Sequence, residues 1–348
     1  MVRPEARPVT LEFDKRHITI GDDTDLRAGL SAVALDGDHL WLACDEGCRL
    51  ERLSRTGPNA FSSHRVFPLD ELLDLPADGE EEADIEGLWV DAGWLWLVGS
   101  HSVKRGKPKK GSSSQEVVRK LSKLGRDGNR HLLARVPLVN GCAKTTDGRR
   151  TAAAIRATDS SSALLDGVRQ RDPVLAPFIP LPGKDNGFDV EGLAVRGPRV
   201  FVGLRGPVLR EWCCILELDI DAQGSHLHLK PFKDGTPYRK HFLKLNGLGV
   251  RDLVMLDNDL FILVGPSMAH DGPCEIWRWK NGVRAGNGTP EVTRLLELPQ
   301  SARVDRPEGF TVLERSGGAT TVLIVFDTPA ETRLRGNRGV LADAYTLP

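Results

Sequence analysis

Three carboxylate-bearing phrases hold the most chemistry in this chain: Asp84-Ile85-Glu86-Gly87-Leu88, Asp189-Val190-Glu191-Gly192-Leu193 and Pro307-Glu308-Gly309-Phe310. Side chains two apart on a strand point the same way, so Asp84 shares a face with Glu86, and Asp189 with Glu191. Carboxylates brought together repel unless a cation balances them. Calcium is one solution, since it takes about six to eight oxygens in flexible geometry, with Asp84, Glu86, Asp189, Glu191 and Glu308 as candidate ligands. Arg205 and Arg251 are another, either as counter-charges or as holders of a phosphorylated or carboxylated ligand. Adding His101 as a proton shuttle gives a metal-assisted hydrolase of ester or phosphoester bonds, in which Arg205 and Arg251 meet the developing negative charge. Purely structural acids, hydrogen-bonded to neighbouring backbone, are the competing expectation.

The elements that must position these residues follow from repetition. Each phrase opens a strand-like run, and a second apolar run follows after a short turn: Leu40-Trp41-Leu42, Leu95-Trp96-Leu97, Val200-Phe201-Val202 and Leu260-Phe261-Ile262. Aligned on these runs, the acidic position falls at Ser31, Glu86, Glu191 and Arg251, and Glu308 supplies a fifth copy. The spacings are 55, 105, 60 and 57 residues, so the second interval holds an insertion or an extra unit. Four strand candidates per unit, repeated radially, predict an all-β fold, a β-propeller of four-stranded blades filling a single domain over 1–348. Five blades are favoured, and six if Gly141–Arg156 hides strands. In the long second unit the third strand is expected at His131–Leu138 and the fourth at Val174–Leu181, with a partly helical insertion over 139–173. The last unit is one strand short, and Val9–Phe13 is predicted to close the ring and remove an open edge. The first strands then line a central channel. The loops after the second strands bring Asp45, His101, Arg205, His270 and Asp327 to the same rim.

Bulk properties exclude several classes. Net charge is −1, which gives no global field for nucleic acid or an anionic membrane. No apolar stretch approaches the roughly 20 residues of a membrane span, and Met1–Pro8 has no leader-like apolar core. The six cysteines form no C-x-x-C pair or disulfide framework, so a reduced cytoplasmic protein is expected. Nothing matches a P-loop, a dinucleotide-binding glycine motif or a nucleophile elbow, so no nucleotide or flavin cofactor is expected. His226 and His228 lack a third ligand for zinc. The tryptophans, including Trp41, Trp94 and Trp96, suit packing between blades. Lys104-Arg105-Gly106-Lys107-Pro108-Lys109-Lys110 reads as a mobile basic loop over 103–116 and a docking segment for an acidic protein partner.

With these phrases in view, the chain resembles the bacterial domain of unknown function family 3616. The matching phrases include Asp84–Val90 with Val98–Ser102, Lys184–Val195, Gly203–Arg210, Tyr238–Phe242, Leu263–Pro266 and Asp305–Gly309. They cover most of the chain from residue 30 onward, and the family implies a propeller-like fold without an established activity. More loosely, the Asp-x-Glu-Gly-Leu phrase resembles phytase-like propellers and the esterase-like-activity-of-phytase domains. That likeness implies a calcium-dependent phosphoesterase, with Asp84, Glu86, Asp189, Glu191 and Glu308 as the residues carried over. The chain departs from it at Gly29 and Ser31, at Gly249 and Arg251, and in lacking an export signal. Two readings stand: a hydrolase with its site at the channel, acting on a small anionic substrate, or a non-catalytic propeller that binds a ligand or protein.

Overall fold

A computed structural model of the chain describes residues 5–20, 24–284, 289–299 and 303–348. Of the N-terminal stretch read for a leader, Met1–Pro4 lies outside the described residues. The fold is mostly β, and the repeated phrase opens a strand in every unit: Leu30–Asp36, Ile85–Asp91, Asp189–Arg196, Gly249–Leu256 and Arg306–Ser316. Each pairs antiparallel with the apolar run that follows it, at His39–Cys44, Trp94–Gly99, Arg199–Gly206, Asp259–Gly265 and Ala319–Asp327. Third strands add on at Arg49–Gly57, Leu133–Val139, Trp212–Gln223, Glu275–Trp279 and Gly339–Leu347. A fourth layer consists of Ala60–Pro68, Ala153–Ile155, Arg239–Lys244, Val292–Glu297 and Arg7–Glu12.

Arg7–Glu12 runs antiparallel to Gly339–Leu347, so strands far apart in sequence share a sheet. Short parallel contacts, Thr10 with Ala60 and Ala154 with His226, fuse neighbouring groups at their outer edges. The ladders therefore join into a nine-stranded, a ten-stranded and a four-stranded sheet. At the inner edge the first strands lie against one another in a cycle. Leu30–Asp36 abuts Ile85–Asp91, which abuts Asp189–Arg196, then Gly249–Leu256, then Arg306–Ser316, which returns to Leu30–Asp36. This is a propeller-like arrangement. It accounts for the continuous apolar runs of the second strands: Leu40, Trp41 and Leu42 are all fully buried, because both faces of the strand are covered.

The second unit departs from the expected strand map. Its third strand is Leu133–Val139, but Val174–Leu181 is not a strand; Ala176–Phe178 makes a single 3₁₀ turn there, with Pro177 at its start. Proline has no N–H to give a ladder, which disfavours a strand at that point. The outer strand is instead Ala153–Ile155, and helix α2 (Ala163–Arg171) follows, burying Leu164, Leu165 and Val168. The stretch read as a mobile basic loop contains a two-residue pairing of Lys104–Arg105 with Leu124–Gly125. Helix α1 (Ser114–Leu121) lies between the two, started by a capping box between Ser113 and Glu116.

Candidate functional site

The repeated phrase is a β-bulge. In all five first strands the register skips one residue against the partner strand, and the skipped residue is Ser31, Glu86, Glu191, Arg251 or Glu308. A bulge leaves its extra residue out of the ladder and re-aims its side chain. The glycine after each acid answers to a second demand, close approach of the next first strand. A Cβ on Gly87 would lie 2.7 Å from Leu193 Cβ, and one on Gly192 would lie 2.8 Å from Leu253 Cγ. On Gly309 it would lie 3.0 Å from the backbone of Ala32. None of the three needs a left-handed backbone; the requirement is space. Two further ties join adjacent first strands. Ser31 Oγ donates to the Ile85 carbonyl at 2.6 Å, and the Phe310 N–H donates to Asp252 Oδ2 at 2.9 Å.

Four of the five expected metal ligands are held by guanidinium groups. Arg205 Nη2 lies 2.6 Å from Asp189 Oδ2, and its Nη1 lies 2.5 Å from Glu191 Oε1. Arg251 Nη1 lies 3.2 Å from Glu191 Oε2 and also contacts Glu308, while its Nη2 donates to the Pro266 carbonyl at 3.0 Å. Asp84 pairs with Arg130 Nη1 at 2.6 Å. These pairs are almost fully enclosed: Asp189 is 2% exposed, Glu191 1% and Arg205 7%. Burial raises the Asp189 and Glu191 carboxyls above their ordinary range, against the pull of Arg205, which Arg251 reinforces at Glu191. Among the described residues no group of three or more His, Cys, Asp or Glu side chains is arranged to hold a metal ion. The five acids therefore do not fit calcium as a set, because most of their oxygens already have cationic partners.

Glu86 is the exception. It is only partly enclosed, and no hydrogen bond or ion pair reaches it among the described residues. Desolvation pushes its carboxyl well above the usual range, and Asp84, Glu191, Asp45 and Glu308 push it further. Asp45 is raised well above its ordinary value by burial and then by Asp84 and Asp327, and Asp327 is raised by burial and Glu308. The backbone brings Asp45 and Asp327 to either side of Gly29. The Asp45 N–H donates to the Gly29 carbonyl at 3.1 Å, and Asp327 bridges to Gly29. Asp45 has no ion pair among the described residues, and the nearest guanidinium to Asp327 is Arg306 at 3.9 Å. Exposed Lys184 acts on both carboxylates from a distance.

His101 is buried beside this ring. Its backbone is left-handed, with φ 55°, and its Nδ1 lies 2.9 Å from the Gly99 carbonyl. Burial, and then His131 with its ring 6.0 Å away, lowers its pKa to about 3. The ring is neutral near pH 7, so Nδ1–H is the donor and Nε2 is a buried acceptor without a partner among the described residues. His101 is thus placed near the acids but poorly suited to carry a proton at neutral pH. Arg130 is the member that sequence reasoning missed. It comes from the 3₁₀ turn Gly128–His131 just before the third strand of the second unit and also contacts Glu82, Ser100 and Ser102. No repeated phrase marks it, because the long segment between Gly99 and Leu133 takes it out of the regular spacing.

The chain is similar in part to several solved structures. A virginiamycin B lyase from Staphylococcus aureus aligns at 12% identity with a TM-score of 0.34, over 93% of this chain and 69% of that one. A β-1,3-galactosidase of family GH43 aligns at 9% identity with a TM-score of 0.46, over 99% of this chain and 60% of that one. An aldose sugar dehydrogenase from Streptomyces coelicolor, in its PQQ-bound form, aligns at 12% identity with a TM-score of 0.35, over 99% of both chains. At these scores the likeness carries no inference about activity. No curated protein matches the chain. No helix among the described residues is long and apolar enough to cross a membrane. A family model described as "Protein of unknown function (DUF3616)" matches residues 29–343, nearly the whole repeat array with its five bulged strands, and the chain belongs to that family.

Proposed function

We propose that this protein is a five-bladed propeller that binds a small organic cation, an ammonium or guanidinium group, at the mouth of its channel. The blade count rests on the cyclic order of the five first strands, each with three partners. The binding reading rests on one observation: among the described residues Glu86 faces other carboxylates without a counter-charge, while Asp84, Glu191 and Glu308 each have a guanidinium. A cation among Glu86, Asp45 and Asp327 relieves that repulsion. A phosphate ester is a poorer fit, because Arg205 and Arg251 are already taken up by buried acids. Binding draws a proton off Glu86, so affinity rises with pH. The test is thermal melting at low ionic strength and pH 8 with putrescine, calcium chloride or sodium phosphate. Putrescine should raise the melting temperature of the wild type and leave Glu86→Gln unmoved. A shift from calcium alone returns the site to a metal. Equal shifts in wild type and variant sink the reading.

The hydrolytic reading draws on the same residue. A carboxyl that burial and neighbouring carboxylates make hold its proton to higher pH can donate that proton to a leaving group. Turnover of p-nitrophenyl acetate or p-nitrophenyl phosphate that disappears in Glu86→Gln supports it, and activity retained in that variant counts against it.

A further inference from the structure

Two oppositely charged lobes grow from one end of one strand pair. Ile85 opens the first strand of the second unit opposite Gly99, which closes the second strand. The segment leading into Ile85 and the segment leaving Gly99 are therefore neighbours. The first contains Asp70, Glu71, Asp74, Asp78, Glu80 and Glu81, all exposed and none in an ion pair among the described residues. The second contains Lys107, Lys109, Lys110, Arg119 and Lys123, likewise exposed and without an ion pair among the described residues. The two lobes are fastened side by side at their roots. Lys104 pairs with Glu82, Arg130 Nη2 lies 2.5 Å from the same carboxylate, and Asn129 Nδ2 donates to the Asp78 carbonyl at 2.7 Å. The free charges, in contrast, form no ion pair with one another or with any other charged group among the described residues.

The basic lobe also carries an apolar strip. Helix α1 buries none of its residues, and Val118, Leu121 and, just beyond it, Leu124 are 65%, 42% and 49% exposed. These are three of the large hydrophobic side chains most open to solvent in the described residues. An exposed aliphatic strip edged by lysines suits a partner with acidic surface.

We propose that the partner is a second copy of this chain, docked about a two-fold axis that runs between the lobes. Such an axis sets the acidic 70–81 segment of one copy against the basic 107–123 segment of the other, and the reverse contact follows by symmetry. The α1 strip, carried on the basic lobe, is covered in the same contact. A flat anionic membrane is a worse occupant, because it would meet the adjoining acidic lobe as well as the lysines. Self-complementary charge of this kind sets orientation and rate of encounter, and it weakens with salt.

Sedimentation equilibrium of the full chain tests the proposal. At about 50 mM salt a dimer is expected, and at about 500 mM a shift toward monomer, since surface charges are screened there. Lys107→Glu/Lys109→Glu/Lys110→Glu should weaken dimerisation by about tenfold or more, as should the reciprocal Asp70→Lys/Glu71→Lys/Asp74→Lys. Mixing the two reversed variants should restore a dimer, because every lobe again faces its opposite. Circular dichroism checks that each variant is folded, and Leu121→Ser offers an uncharged second probe of the strip. A chain that stays monomeric at low salt overturns the proposal. So do variants with unchanged association, or a monomer that instead binds phosphatidylserine vesicles or a glutamate-rich peptide.

Discussion

Arg251 Nη1 lies 3.2 Å from Glu191 Oε2, across the boundary between two adjacent first strands. Arg251 stands where the repeat elsewhere places an acid, and it also reaches Glu308 on the other side. One unit has thus exchanged its carboxylate for the cation that its two neighbours need. Ser31 makes a milder version of the same change, replacing charge with a hydrogen bond to the next strand. The ring of bulged residues is therefore arranged by charge, and Glu86 is the position left unbalanced.

Glu86→Gln should stabilise the free protein at alkaline pH. The folded-state carboxyl is raised, so the folded protein holds this proton longer than the unfolded chain. Its contribution is fully present below the ordinary glutamate range and is lost as pH rises through the raised value. Glutamine mimics the protonated form and removes that loss. The expected result is a melting temperature a few degrees above wild type at pH 8, with the difference closing toward pH 4. His101, with its lowered pKa, acts in the opposite sense in both proteins, so the difference between them isolates Glu86.

Arg205→Leu leaves Asp189 and Glu191 buried without their shared guanidinium. Breaking a buried pair from one side costs about 3–5 kcal/mol. Urea unfolding should show a loss of that size, and adding Asp189→Asn with Glu191→Gln should recover a good part of it. A single-variant loss within experimental error of zero would mean that the pair is solvated.

Gly192→Ala places a methyl 2.8 Å from Leu253 Cγ, 3.1 Å from Val250 Cγ1 and 3.2 Å from the Asp252 carbonyl carbon. The backbone contact cannot be relieved by a rotamer change, so the adjacent first strand must shift. Overpacking of this kind costs about 1–3 kcal/mol. Chemical denaturation should report a loss in that range for Gly192→Ala, and no loss would show that the inter-strand packing is loose.

The sequence by itself determined the repeat, the positions of most strands and the residues at the inner strands, because strand formation and bulging are local. The alternation of short apolar runs with turns marks the strands, and the acid-glycine phrase marks the bulge and the close approach that follows it. Val174–Leu181 misled because an apolar run with proline reads as a strand when its neighbours are ignored, whereas its Leu175 and Ile179 are buried without any ladder. Tertiary structure alone decided which charges meet. Arg130 reaches Asp84 from a 3₁₀ turn at the end of the long segment after Gly99, and Arg251 reaches Glu308 from 57 residues away. The sign and reach of a side chain can be read from its type, but its partner is set by strand order around the ring. That order depends on packing among segments distant in sequence, so the same acids that look like a calcium site in one dimension become ion pairs around a single unbalanced glutamate in three.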